Sequence, residues 1–234
     1  TISYRGTGAN TILVVQANRT ILGGEILDAD LCFAISETKI SGTATLTAFL
    51  RKQSTQVTEG WYLTEGGTWT RITDVDFPPN QTPALSLIGA PVHLNGRMYV
   101  MSTNGQINNS DLNSVTAWTL NNYTNANVFP DGGFGLALHN NTICAFGFRS
   151  IEFFADIGNP SGSPLLRLSD KTINIGYSVL ASSVSGNFNY IYQLGNDIYF
   201  FGRKGGPAGI YRLQNFEASK VSNNAIDKIL NSSE

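Results

Sequence analysis

Long apolar runs are missing from this chain. No stretch approaches the ~18 residues a membrane-crossing helix needs, so no membrane span is expected. Charge is scarce as well. Asp, Glu, Lys and Arg make up 14% of the residues, whereas long helices draw heavily on Glu, Lys and Ala. The formal net charge is −2, and Lys and Arg never cluster as they do in proteins that grip a nucleic-acid backbone. Arg203-Lys204 is a compact basic spot, expected as solvated charge on a hairpin loop. Cys32 and Cys144 are the two cysteines; 112 residues apart in strand-like surroundings, they are expected as buried free thiols rather than a disulfide. A Gly-x-Ser-x-Gly elbow and a Cys-x-x-Cys pair are both absent. The opening Thr1-Ile2-Ser3-Tyr4 carries neither an initiator Met nor a signal-peptide core, so a processed product or a piece of a longer chain is expected.

What the chain does have is a repeat. Between Leu87 and Ile229 an apolar strand, a tight polar turn, an aromatic-rich strand and a further strand occur three times. The turns are Asn95-Gly96, Asn140-Asn141 and Gly195-Asn196, residue types that accept positive φ and close two-residue hairpins. Ile107 and Ile151 lie 44 residues apart, and Ile151 and Ile210 lie 59 apart. With one insertion, assigned to Gly158–Pro164, that is the length of a four-stranded propeller blade. Trp61 precedes Ile107 by 46 residues and falls on the same count. The spacing predicts an all-β fold, a β-propeller-like repeat of four-stranded antiparallel blades over residues 1–221, with a C-terminal helical extension over 222–234. A two-sheet sandwich is the alternative fold.

Before the clear repeats, residues 11–22 carry an earlier version of the hairpin, with Asn18-Arg19-Thr20-Ile21 matching Asn140-Asn141-Thr142-Ile143 in type. The run Ile12-Leu13-Val14-Val15 suits a strand buried on both faces. Strands are expected at Leu31–Ile35 and from Ser41 to Leu50, with a helix open for Ala48 to Lys52. Trp69 and Trp118 follow polar turns and are expected to anchor them between strands; these turns loosely resemble the Asp-box of sialidase-type propellers. Residues 74–90 and 119–131 read as connections between blades. The stretch from Ser222 to Leu230 is the convincing helix, with Ser222 as its cap.

Few residues suggest chemistry. His93 and His139 sit 46 residues apart beside repeat turns, and equivalent places in successive blades imply equivalent structural roles rather than acid–base or metal duty. Asp28/Asp30 and Asp74/Asp76 show the same interval and are expected as loop carboxylates, short of the oxygen cluster Ca²⁺ requires. Gly132-Gly133-Phe134-Gly135 leads into a strand and so is no phosphate cradle. No catalytic, cofactor-binding or metal-binding residue is expected, and no cofactor.

Several segments together resemble one family. They include Gly96–Val100, Ser110–Asn113, Phe146-Gly147-Phe148-Arg149-Ser150-Ile151-Glu152-Phe153, Ala181–Val184, Leu194–Arg203, Gly209–Arg212 and Val221-Ser222-Asn223-Asn224-Ala225-Ile226-Asp227. In order and spacing these are similar to the packaged-DNA stabilisation proteins, or tail hub and nozzle proteins, of short-tailed bacteriophages. The last segment departs from that family's usual Ser-Thr-His-Ala-Ile-Glu at Asn223, Asn224 and Asp227. The resemblance implies a non-enzymatic virion protein of the phage tail. It would form a homohexameric ring under the portal or head-to-tail adaptor, meet tail fibre, tailspike or needle proteins, and close the channel after packaging. DNA would pass through the lumen at ejection without sequence-specific binding. A second reading, an extracellular carbohydrate-binding or glycoside-hydrolase-type propeller, draws on the Trp-bearing turns and on sequons at Asn18, Asn80, Asn108, Asn122, Asn140 and Asn231. A generic interaction scaffold is the third.

Overall fold

The structure, a computed structural model, describes residues 2–5, 10–15, 21–27, 31–40, 42–51, 58–64, 67–130, 132–159, 161–177 and 191–231, with backbone alone for strand residues up to 35 and for 40, 50 and 51. Strands β1 (Ile2–Arg5), β2 (Asn10–Val15) and β3 (Ile21–Leu27) form a three-stranded sheet. The second sheet holds β4 (Leu31–Ile40), β5 (Thr43–Arg51), β6 (Thr58–Thr64) and β7 (Thr70–Arg71). The third holds β8 (Leu87–Leu94), β9 (Arg97–Ser102), β10 (Gln106–Ser110) and β11 (Trp118–Asn125). The fourth holds β12 (Gly133–His139), β13 (Thr142–Gly147), β14 (Ile151–Asp156) and β15 (Leu165–Arg167). In the last sheet β16 (Gly176–Tyr177) and β17 (Ile191–Leu194) share one edge of β18 (Asp197–Arg203), followed by β19 (Gly209–Gln214) and β20 (Glu217–Lys220). Helix α1 (Asn224–Asn231) comes after it. Each sheet is an antiparallel meander. The opening strands β4, β8, β12 and β17 are neighbours in turn, so successive sheets stand side by side along a shared inner edge. This is a β-propeller.

The turns set the geometry. Asn95-Gly96 and Asn140-Asn141 both have positive φ at their two positions, while Gly195-Asn196 has it only at the glycine. The first two match type I′ and the third type II′, the turns whose twist suits a hairpin. Counting from the turn, the fifth residue of the second strand is Met101, Phe146 or Phe201, and it pairs with Ile107, Ile151 or Ile210. Those three isoleucines therefore occupy one structural position. Trp61 does not: it pairs with Ala48, and Tyr62, opposite Thr47, holds the equivalent place. A one-residue slip turns a side chain to the other face of a strand.

Alternation then decides what each sheet buries. Met98 and Val100 face the second sheet, packing with Phe49, Phe77, Leu87 and Trp118. Tyr99, Met101 and Ile107 face onward and meet Ile143, Ala145 and Phe154. Cys144, Phe146, Ile151 and Phe153 face onward again, against Ile198, Phe200 and Tyr211. A second strand therefore has a neighbour on both sides, which is why Thr-Ile-Cys-Ala-Phe-Gly in β13 is buried throughout. Phe146 and Phe200 meet edge to face at 5.2 Å, and each fully buried aromatic adds about 2–3 kcal/mol.

Four expectations need correction. Residues 119–125, expected within a connection, belong to an outer strand, Trp118–Asn125; it is bulged, with Tyr123 opposite Asn108 but Trp118 already opposite Ser110. Ala48 lies in a strand, not a helix. The Gly158–Pro164 insertion does not account for the long interval, because that loop joins β14 to β15 much as residues 111–117 join β10 to β11; the added length falls at 178–190, between β16 and β17. The helix cap is Asn223, whose Oδ1 accepts from the backbone N–H groups of Ala225 and Ile226. Ser222 serves elsewhere, since its hydroxyl accepts from the Ile210 N–H and donates to Asp227.

Candidate functional site

Taken one by one, the groups that could carry chemistry hold the fold together. His139 ends β12, and its Nδ1 donates to the Asn196 carbonyl at 3.0 Å. Its Nε2 then accepts from the Asn140 amide at 3.1 Å and from the Phe216 N–H at 3.5 Å. The ring thus pins two turns of the last sheet. His93 is not its counterpart. Leu94, the residue before the turn, matches His139, and His93 matches Leu138. Intervals of 45 residues between turns and 46 between histidines place the rings on opposite faces.

Burial pushes the His93 imidazole from 6.5 down to about 4, and its buried Nε2 has no hydrogen-bond partner. Because the folded value is depressed, the neutral ring's stability is complete above about pH 6.5 and is lost as pH falls toward 4, up to about 3 kcal/mol. His93→Leu, which installs the residue type found at the matching position 138, should leave neutral-pH stability unchanged or raised. It should also flatten the pH 4–6.5 limb of a urea-melt series. An unaltered acid limb would contradict this.

Asp74 is a loop carboxylate as expected: Oδ1 accepts from the Asp76 N–H and Oδ2 from the Trp118 N–H, tying the connector to the third sheet. Asp28 and Asp30, Asn18, residues 181–184 and the Cys32 side chain lie outside what is described. Cys144 is buried and free, and burial holds its thiol well above the ordinary range. Among the described residues no three His, Cys, Asp or Glu side chains gather as metal ligands would. Gly133 leads straight into β12. Of the sequons, Asn108 is buried, and Asn80 and Asn231 spend their amides on the backbone carbonyls of Ile72, Asp74, Ala208 and Asp227.

The two segments that carry the family resemblance are clamps. In Arg149–Phe153, Glu152 points from β14 with Oε2 2.7 Å from Arg167 Nε, while Oε1 accepts from the Val128 N–H at 2.9 Å. The Arg167 Nη2 donates to the Asn125 carbonyl and to Asn127 Oδ1. One ion pair therefore fastens the end of the third sheet to the fourth. In Ser222–Asp227, the Lys220 ammonium and then the Ser222 hydroxyl hold the Asp227 carboxyl below the usual carboxylate range. Asn231 bonds the backbone of Ala208 in both directions. The helix is thereby fixed to the last sheet, and Asp227→Asn should speed amide exchange in 224–231 while leaving β13 and β14 unchanged. Sequence spacing showed neither clamp.

Between the connector and the bulged β11 lies an open groove of about 610 Å³ lined by Val75, Asp76, Gln81, Gln106, Leu120 and Tyr123, among others. Its walls are amide and apolar groups, with a single carboxylate. Loop faces elsewhere expose Leu112, Phe148 and Ile157.

A family model described as "Bacteriophage P22 Gp10, beta-propeller" matches residues 38–234. No curated protein matches the chain. Among solved structures, the crystal structure of the Myceliophteria_thermophila Cps50 (Swd1) beta-propeller domain is similar at 8% identity, over 92% of this chain and 79% of that one, with a TM-score of 0.48. Since the family match runs from the end of β4 through the last sheet and takes in both clamp segments, the chain belongs to the phage-stabilisation family of Bacteriophage P22 Gp10, with its β-propeller fold.

Proposed function

We propose that this protein is a wall component of a phage tail hub or nozzle. About six copies would ring the channel below the portal or its adaptor, retain packaged DNA, and line the path of ejection. The family match over residues 38–234 carries this reading. Charge supports it: at net −2, with Lys and Arg dispersed, the chain offers little of the counterion release that makes proteins hold a DNA backbone. Rigid sheets with loops at both ends supply surfaces for the portal or adaptor on one side and for fibre, tailspike or needle proteins on the other.

The test is DNA retention. Particles assembled without the protein should fill and then leak, leaving their genome open to added nuclease; restored protein should return protection. Particles that keep a full, protected genome in its absence would overturn the assignment.

A further inference from the structure

Matching positions on the inner strands are buried in the third and fourth sheets and open in the last. Leu94, opposite Arg97, is 7% exposed, and His139, opposite Thr142, is 3% exposed. Leu194 holds the same place opposite Asp197 and stands 72% exposed. Two residues earlier Ala137 is 6% exposed, whereas Tyr192 is 63% exposed. The difference is cover. Leu94 packs within the cluster formed with the fourth sheet, and His139 lies under Asn196 and Phe216 of the last. Tyr192, Leu194, Tyr199, Phe201 and Ile210 share the onward side of the last sheet. Asp197 and Arg212 on that side face each other at 3.9 Å, and Arg203 and Glu217 stand at its margins. An apolar side this broad needs an apolar partner.

Among the described residues one sheet is suitable. At the opposite end, the backward side of the second sheet is also apolar, with Leu46, Ala48 and Leu63 at 6%, 0% and 2% exposure. β2 is the middle strand of the first sheet, and Ile12-Leu13-Val14-Val15 is apolar at both alternations. A strand of that pattern wants cover on both faces; the second sheet presents an apolar side that is already buried, and the last sheet an apolar side that stands open at Tyr192 and Leu194. We infer that the β1–β3 sheet packs between the second sheet and the onward side of the last, closing a five-bladed ring over Tyr192 and Leu194. The closure is intramolecular, so the channel-side wall of each subunit is complete before any copies assemble.

Hydrogen exchange on the full chain tests it. Tyr192→Asp with Leu194→Asp places two charges on exposed positions, so the variant should fold. Amides of residues 2–27 should then exchange about tenfold or more faster, while β13 and β14 keep their protection. Leu194→Met should behave as wild type. Unchanged exchange in 2–27 would overturn the closure. So would self-association of the wild type that the charges abolish while 2–27 stays protected, because a second copy would then be the cover.

Discussion

Arg167→Ala is expected to cost about 3–5 kcal/mol, because it strands a carboxylate that has nowhere to go. Glu152 is 2% exposed along its side chain, whereas Arg167 is 29% exposed. Removing the cation takes the ion pair from Glu152, while the Val128 N–H still donates to its Oε1. Glu152→Gln should cost less: the amide oxygen still accepts from Val128, and the released guanidinium reaches water and keeps Asn125 and Asn127. Arg167→Lys should not rescue, since one ammonium cannot span Glu152, Asn125 and Asn127 together. The pH response separates this account from simple loss of packing. In Arg167→Ala the buried carboxyl favours its neutral form, so the variant's deficit should shrink as pH falls toward 5. Denaturant melts at pH 7.5 and 5 decide the matter; equal costs for both variants, or a deficit that grows in acid, would contradict it.

Gly176→Ala should be at least as damaging, with a loss of about 4 kcal/mol or more, at the extreme of single substitutions. A Cβ at Gly176 would lie 1.5 Å from the Phe148 carbonyl oxygen and 2.0 Å from its carbon. Both are backbone atoms, so no rotamer change relieves the overlap. The approach is this close because β16 crosses the turn joining β13 to β14, bringing the fourth and last sheets together. For scale, Phe154→Ala in the core should cost about 3–5 kcal/mol while leaving the backbone in place. The two differ in kind: Gly176→Ala should loosen amides in β16 and at residues 148–150 before the other sheets, whereas Phe154→Ala should lower stability across the third and fourth. Wild-type melting of Gly176→Ala would mean these sheets do not meet as described.

The readable and unreadable parts of the sequence divide along physical lines. Turns were legible because Asn-Gly, Asn-Asn and Gly-Asn have few alternatives where φ is positive. The second strands were legible because cover on both sides demands unbroken apolar sequence. Ile107, Ile151 and Ile210 matched because β9–β10, β13–β14 and β18–β19 have the same ladder register. Trp61 slipped because Tyr62, the residue that matches, is its next neighbour, and a one-residue difference in an interval that crosses the connector is invisible to spacing. The histidines misled for a related reason: one residue of difference from the turn interval is enough to change faces. β11 escaped notice because an outer, bulged strand needs little apolar patterning, so Thr119–Asn125 reads like a loop. Glu152 stood in a recognised motif, yet its partner lies on another strand and its anchor in the connection that follows β11. That kind of polar pairing is set by tertiary structure alone.

Passive enclosure of a channel by several copies of this propeller is the claim on which the functional reading stands, and electron microscopy of the assembled tail tests it most directly. The account predicts a ring of about six subunits, coaxial with the channel, each fitted by the sheets of residues 31–220. Single copies away from the axis, or no copy in the tail, would contradict it.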